Sequence, residues 1–316
     1  MDQVFVTGGT GFIGRAVVER LLAGGTTVRC LVRSPGRARH LETPGIELVA
    51  GDLDDIGPWQ RALVGCTAVI HVAGLVAARR RGDFVRVNGD AVGRLADACA
   101  SLPSPPTLVH VSSLAAAGPT ASPHQPRTED EPVAPISHYG ESKRAGEQEL
   151  IRRAGRLPVT IVRPGFVFGP DDPKFATLCD MIRTLRIHLL MGLRDPALSL
   201  MHVDDLAELL IAAVDRGERL PPLSTPTTGG HGIYNACDDR EFPTYGELGR
   251  RLGRAYGHGV LVLPLPVAVS LPTSVAIEWF WNLLGQPSIV SPDKFREARA
   301  RSRAASAAKA RLNLGV

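Results

Sequence analysis

Cysteine is scarce in this chain and never clustered. Cys30, Cys66, Cys99, Cys179 and Cys237 are odd in number, contain no C-x-x-C pair and mostly sit in apolar patterns. That argues against a disulfide framework and fits reduced core thiols in a cytoplasmic protein; no metal site is expected. Charge of one sign is also nearly lacking, since 36 Lys and Arg against 32 Asp and Glu leave a net charge of +4. This is too small an excess to argue for a nucleic-acid partner. Long uninterrupted apolar runs are absent. The nearest, 260–284, is broken by Pro264, Pro266 and Pro272 and contains Glu278. It fits an integral membrane span poorly and an apolar lid or substrate wall better, with peripheral membrane contact as the lesser alternative. There is no repeat of the solenoid kind. The first strand begins almost at Met1, leaving no room for a signal peptide. With 44% hydrophobic and 22% charged residues among 316, the composition is that of an ordinary globular chain of one large domain or two.

What the chain has is glycine at chosen places between apolar segments. Residues 4–6 read as a short buried strand, and Thr7-Gly8-Gly9-Thr10-Gly11-Phe12-Ile13-Gly14 follows at once. Ile13, Val17 and Leu21 then recur on one helix face, until Gly24-Gly25 stops the helix. Gly8, Gly11 and Gly14 let the chain turn tightly, let backbone approach a pyrophosphate, and let helix and strand pack. The helix N-terminus presents free N–H groups and a positive dipole to the phosphates. The stretch points to dinucleotide binding.

A second strand, 27–32, ends at Arg33. NAD-preferring sites carry an acid near this point. Here stands Arg33, with Arg37 nearby and no acid before Glu42, so NADP is favoured over NAD. A third strand, 46–50, leads to Asp52 and Leu53. Asp52 is placed to accept from an adenine amino group, or to cap a helix before Ile56. A fourth, 68–72, contains the core residue His71 and ends at Ala73-Gly74, small enough for a cofactor to lie against the backbone. The run Arg79-Arg80-Arg81 faces solvent. A helix then runs from near Asp83 to about Ser101. A fifth strand, 107–111, delivers Ser112-Ser113 to its carboxyl end, and Tyr139 opens a helix to about Ala154. A sixth, 159–162, runs into Arg163-Pro164-Gly165 and Val167. Beyond it the alternation loosens. Residues 178–190 read as a helix, His202-Val203-Asp204-Asp205 caps another, 233–235 reads as a last strand and Thr244 starts a further helix. The tail, with Arg296, Arg299, Arg301, Arg303, Lys309 and Arg311 among alanines, reads as a solvated helix.

This alternation gives an α/β fold with a doubly wound parallel sheet. Ser113, Tyr139 and Lys143 fall on its carboxyl edge, where ligands bind. Tyr139 and Lys143, four apart, share a helix face. A tyrosine ionises near ~10 when free. A lysine ammonium and a nicotinamide cation would both favour the phenolate and lower that value. Tyr139 is then the acid/base for a substrate hydroxyl or carbonyl, and Ser113 holds the same oxygen.

Taken together, these motifs resemble the extended branch of the short-chain dehydrogenase/reductase superfamily, the NAD-dependent epimerase/dehydratase proteins. The matching residues run from Thr7 to Gly14, then Gly51-Asp52-Leu53, His71-Val72-Ala73-Gly74, Val111-Ser112-Ser113, Tyr139-Gly140-Glu141-Ser142-Lys143, Arg163-Pro164-Gly165 and His202-Val203-Asp204-Asp205. Within the family the chain is most similar to dihydroflavonol-reductase-like and hydroxysteroid-dehydrogenase-like members. The resemblance implies a Rossmann domain over 1–170, with a return near 200–240, and a smaller, interleaved substrate part over 171–316, often in a dimer. It implies Ser113, Tyr139 and Lys143 as catalytic residues. For the cofactor it implies Thr7, Gly8, Gly11, Phe12, Ile13, Gly14, Arg33, Asp52, Leu53, Ala73, Gly74, Tyr139, Lys143, Pro164, Gly165 and Val167. The implied activity is hydride transfer between NADP or NAD and a carbonyl or secondary alcohol. Sugar-nucleotide members usually carry an asparagine where Gly165 stands and an arginine where Leu198 stands. Their absence favours a hydrophobic small molecule. A nucleotide-sugar epimerase or dehydratase, and a non-catalytic nucleotide-binding member, are the alternatives.

Overall fold

The computed structural model describes residues 1–316 except 226–228, 289, 299 and 301. The first half alternates strands β1 (Gln3–Thr7), β2 (Thr27–Val32), β3 (Ile46–Ala50), β4 (Ala68–His71), β5 (Thr107–Val111) and β6 (Val159–Pro164) with helices. These are α1 (Phe12–Ala23), α2 (Arg81–Val85), α3 (Ala91–Ala100), α4 (Leu114–Ala117) and α5 (His138–Ile151). Then follow β7 (Phe166–Phe168), α6 (Pro173–Leu185), β8 (Ile187–Met191), β9 (Leu200–His202), α7 (Val203–Arg216) and β10 (Ile233–Ala236). The chain ends with α8 (Tyr245–Ala255), β11 (Leu261–Leu265), α9 (Val267–Leu283), α10 (Pro292–Ala298) and α11 (Ala308–Leu314).

Seven parallel strands form the central sheet in the order β10-β6-β5-β4-β1-β2-β3. Val4, Phe5 and Val6 of β1 are wholly buried, as expected of a parallel strand covered on both faces. On one face Val17 and Leu21 of α1 pack with Leu206 and Leu210 of α7. On the other, Val92 and Leu95 of α3 pack with Leu150 of α5. The chain moves outward through β2 and β3 and returns at β4, so strand order reverses between β1 and β4. In such sheets a crevice opens there, at the carboxyl ends. The fold is the doubly wound α/β arrangement expected from the sequence.

Several local expectations are corrected. Residues 178–190 are not one helix, because α6 stops at Leu185 and Arg186 takes a left-handed φ of 57°. The apolar run behind it becomes β8, paired in parallel with β11; periodicity alone cannot separate such short runs from helix. No helix starts at Ile56. Asp52 instead accepts from the Asp54 backbone N–H at 2.9 Å. The helix expected from Asp83 is broken by a π-helical turn over Arg86–Asp90. The tail is not a solvated helix. Ala304, Ala305, Ala307, Ala310 and Leu314 are buried, and Lys309 donates to the Gly230 and Ile233 carbonyls at 2.7 and 3.1 Å. Alanine is small enough to let this segment lie close against β10 and α7. Arg299 and Arg301 lie outside the described residues, as does the Arg37 side chain. Among the described residues no helix is long and apolar enough to cross a membrane.

One buried ion pair fixes α5 to the sheet. Arg163 at the end of β6 gives two hydrogen bonds of 2.7 Å to Glu147 of α5, with both side chains at most 1% exposed. Ser112 donates to the same carboxylate at 2.6 Å and Arg144 at 3.0 Å. Burial pushes Glu147 up, but the Arg163 charge and these hydrogen bonds prevail and hold it below its ordinary value of 4.5. Removing one partner strands a buried charge, which typically costs about 3–5 kcal/mol. Arg163→Leu should therefore lower unfolding free energy by about 3–5 kcal/mol in denaturant titrations at neutral pH. Because the folded-state value lies below the unfolded one, the pair's contribution is present at neutral pH and is lost as pH falls through the carboxylate range.

Candidate functional site

The crevice is a cavity of about 960 Å³, at the upper end of ordinary ligand pockets. Its walls bring together every residue that the sequence singled out for cofactor or catalysis. The glycine loop forms one side. Gly8 has φ 76°, and a Cβ there would stand 2.6 Å from the Ala73 nitrogen. A Cβ on Gly14 would stand 2.0 Å from the Gly8 carbonyl oxygen, so only glycine lets α1 start against this turn. Gly11 caps α1 without a side-chain hydrogen bond, and the first turn holds no acid. The N-terminal N–H groups are thus left for an anion. This geometry fits a dinucleotide pyrophosphate. Thr7 closes the floor, with its Oγ1 2.6 Å from His71 Nδ1 and accepting from Ala73 N at 3.3 Å. Arg33, Asp52 and Leu53 line the far end; Arg33 and Asp52 are exposed.

The opposite side is the start of α5. Its N-terminus is capped twice. Ser137 Oγ accepts from Gly140 N at 3.0 Å, and Asp293 of α10 accepts from His138 and Tyr139 N–H at 2.7 and 3.2 Å. Ser137 in turn donates to Glu297 at 2.5 Å, and Lys294 lies 4.1 Å above the Tyr139 ring. The C-terminal segment thereby holds the helix that carries Tyr139 and Lys143, a link that no local motif announces. Lys143 Nζ donates to the Val111 carbonyl at 2.9 Å. Gly74 faces it closely enough that a Cβ there would stand 2.9 Å from Nζ. Asn88, on the π-helical turn, closes this corner. It accepts from Leu75 N at 2.8 Å, donates to Leu75 O at 2.9 Å and to Ser142 at 3.0 Å. Sequence reading missed Asn88; its only signal was a polar residue inside an otherwise apolar helix face.

The electrostatics of the ligand-free chain differ from expectation. Burial pushes Lys143 down to about 8, with Glu147 pulling it back up. Tyr139 is pushed up to about 12, by burial first; a hydrogen bond with Ser113 opposes this and Glu297 adds to it. The protein alone therefore favours the neutral phenol, because burial outweighs what would lower the Tyr139 value. A proton donor is ready in this state, whereas a phenolate requires added positive charge.

The outer wall also differs. None of the residues 260–284 lines the cavity, so that segment is not a substrate wall. Apolar lining comes from Ile136, Leu189, Leu190, Met191, Pro196, Leu198 and Tyr245, and charged lining from Lys174, Arg194, Lys294, Glu297 and Arg303. Burial lowers the pKa of Arg303, and its Nε has no partner among the described residues. Charged groups thus line the cavity even though the asparagine and arginine of sugar-nucleotide members are absent at Gly165 and Leu198. The two departures noted in the sequence have structural causes. A Cβ on Gly165 would stand 2.3 Å from the Ser199 carbonyl oxygen, so this backbone leaves no room for an asparagine. Leu198 is buried with Leu178, Ile182 and Leu248.

The description "NAD dependent epimerase/dehydratase family" covers a family model that matches residues 4–235, and the chain belongs to that family. It is an NAD(P)-dependent oxidoreductase of that group. Ceramide reductase of Caulobacter vibrioides is 30% identical over 295 residues, covering 93% of this chain and 83% of that protein. The decarboxylating sterol-4-alpha-carboxylate 3-dehydrogenase of Dictyostelium discoideum is 27% identical over 298 residues, covering 91% and 88%. UDP-glucose 4-epimerase of Mycolicibacterium smegmatis is 30% identical over 316 residues, covering 89% and 99%.

A lysine whose folded-state value lies below its unfolded value releases its proton on folding. Between about pH 8 and pH 10.5 the unfolded chain binds more protons, so stability rises with pH in that window. Lys143→Met should remove this rise. At neutral pH it should stabilise the ligand-free protein by about 1–3 kcal/mol, read from denaturant midpoints at pH 7 and 10.

Proposed function

We propose that this chain reduces a carbonyl, or oxidises the matching secondary alcohol, of a predominantly hydrophobic small molecule, with NADP as the favoured nucleotide. The observation that carries this reading is a single cavity walled by the glycine loop on one side and by Ser113, Tyr139 and Lys143 on the other. Thr7, Gly8, Gly11, Phe12, Ile13 and Gly14 hold the pyrophosphate; Leu53, Ala73, Gly74, Pro164, Gly165 and Val167 flank the rest of the nucleotide. The bound nicotinamide supplies or accepts the hydride. Tyr139 gives its phenolic proton to the carbonyl oxygen in reduction, Ser113 holds that oxygen in line, and Lys143 binds ribose hydroxyls through its ammonium. In oxidation the nicotinamide cation provides the positive charge that the phenolate needs. Residues 1–170, with the return near 200–240, form the nucleotide-binding part, and residues from 171 onward form the substrate part. The buried free thiols support a reducing, cytoplasmic setting.

The apolar side chains around Leu189, Met191 and Leu198 support a hydrophobic substrate body, as does similarity to a ceramide reductase. Gly165, closed against Ser199, withholds the side chain that would grip a nucleotide diphosphate. Lys174, Arg194 and Arg303 favour a second reading, a nucleotide-sugar epimerase or dehydratase, because cations lining the cavity suit an anionic ligand. A panel of apolar ketones and alcohols, followed by reduced-nicotinamide absorbance, separates the two when paired with calorimetry of UDP and dTDP. Turnover of apolar carbonyls is expected. Tyr139→Phe should then cut that turnover by about 10²–10⁴-fold with little loss of cofactor binding. Micromolar binding of either nucleotide without such turnover would select the second reading.

Arg33 stands at the end of β2 with no acid beside it, lining the cavity. A charge-assisted hydrogen bond contributes about 1.5–3 kcal/mol. NADPH should bind more tightly than NADH, and Arg33→Ala should narrow the gap by roughly ten- to a hundredfold. Equal or tighter NADH binding by the unaltered protein would refute the preference.

A further inference from the structure

Helix α9 is turned inside out. Its buried residues are Ser270 and Ser274, one turn apart, and both are satisfied by their own helix: Ser270 donates to Pro266 O and Ser274 to Leu271 O. Its large apolar residues face outward. Trp279 and Leu283 are each 64% exposed, Phe280 54% and Trp281 42%. The only charged residue on α9 is Glu278, which is partly buried. A single exposed leucine needs no explanation, but a contiguous apolar surface of this kind marks an interaction site. The exposed basic run Arg79-Arg80-Arg81, a loop that enters α2 at Arg81, joins the C-terminal end of this surface, where Arg79 donates to the Asn282 carbonyl at 3.2 Å; Arg81 also pairs with Glu141 at 2.9 Å. Aromatic anchors beside several arginines are the composition of a segment that lies in the headgroup region of an anionic bilayer. A second copy of the chain is a worse match, since its α9 would bring the arginines no acidic residue but the partly buried Glu278, whereas anionic headgroups supply the opposite charge.

We infer that α9 and the Arg79–Arg81 run form a docking surface for an anionic lipid membrane. Trp279, Phe280, Trp281 and Leu283 enter the interface, and the arginines meet acidic headgroups. The helix lies in the membrane plane and does not span it. Docking needs no nucleotide and no turnover, so it stands apart from the catalytic reading. It also gives the site a position, because α9 packs on α10, and Lys294 and Glu297 of α10 line the cavity.

The test is flotation of the full chain with phosphatidylcholine vesicles and with vesicles containing about 30% phosphatidylglycerol. Binding to the anionic vesicles is expected, with a blue shift in tryptophan emission; Trp59, the third tryptophan, is buried already. Trp279→Ala with Trp281→Ala should weaken binding by roughly a hundredfold. Replacing Arg79, Arg80 and Arg81 by Gln should weaken it by about fivefold per charge. All three arginines are exposed, so the arginine variant keeps the test intact if the tryptophan variant fails to fold. No binding to anionic vesicles, or binding unmoved by both variants, would overturn the inference. So would a dimer in light scattering that Trp279→Glu converts to monomer, which would make the face a contact between copies.

Discussion

The bidentate pair between Glu147 and Arg163 is the contact on which the arrangement of this site depends. Glu147 sits one helical turn beyond Lys143, which itself sits one turn beyond Tyr139, so fixing Glu147 against β6 fixes the rotation of the whole functional face of α5. The same carboxylate receives Ser112, the residue before Ser113. A single buried acid therefore holds α5, the end of β5 and the end of β6 in register. It also acts electrostatically, since its negative charge raises Lys143 against the lowering effect of burial. Without it a lysine in this position would be neutral at lower pH still. Position and charge are set by one group, and such a group cannot be replaced by an apolar side chain of the same shape without moving the lysine's pKa.

A second constraint acts on the same helix from the other end of the chain. Asp293 takes two backbone N–H groups from the first turn of α5, and Glu297 takes the hydroxyl of its cap. A helix N-terminus left free would draw an anion or water into the cavity. Here it is closed by side chains from α10, so its dipole is spent on structure, while the uncapped N-terminus of α1 is open to ligand. The N-termini of α1 and α5, both facing the cavity, are thus treated oppositely: that of α5 is capped, and that of α1 is held open by glycine.

Much of this was legible in the sequence, and the parts that were share a property. The glycine loop, the small residues at 73–74, Ser113, and the pair Tyr139 and Lys143 are each defined by local spacing on one strand end or one helix face. Parallel strands buried on both sides read as apolar runs, so the sheet was readable too. What escaped depends on contacts between segments far apart in the chain. Glu147 and Arg163 are ordinary charged residues until α5 meets β6. Asp293 and Glu297 look like surface acids until α10 reaches Ser137. Arg303 reads as one of several tail arginines, yet the alanines around it, small enough to pack close, carry it to the cavity. The helix assigned to 178–190 failed for a different reason, since a five-residue run that is apolar except for His188 is compatible with either strand or helix until a partner strand is found.

The apolar segment 260–284 shows how composition can mislead about direction. Its many large side chains were read as a wall for substrate, because a folded chain is expected to turn such residues inward. In α9 the inward stripe is serine, whose hydroxyls bond to the preceding turn and need no partner, and whose small volume lets the helix lie close to its support. With that face committed, the large residues have only the outside left. The cavity, conversely, has cations where apolar residues were expected. Both errors come from counting side chains without asking which face of the element the small residues occupy. In a helix of this composition it is the position of the smallest residues, more than of the largest, that determines which way the apolar surface points.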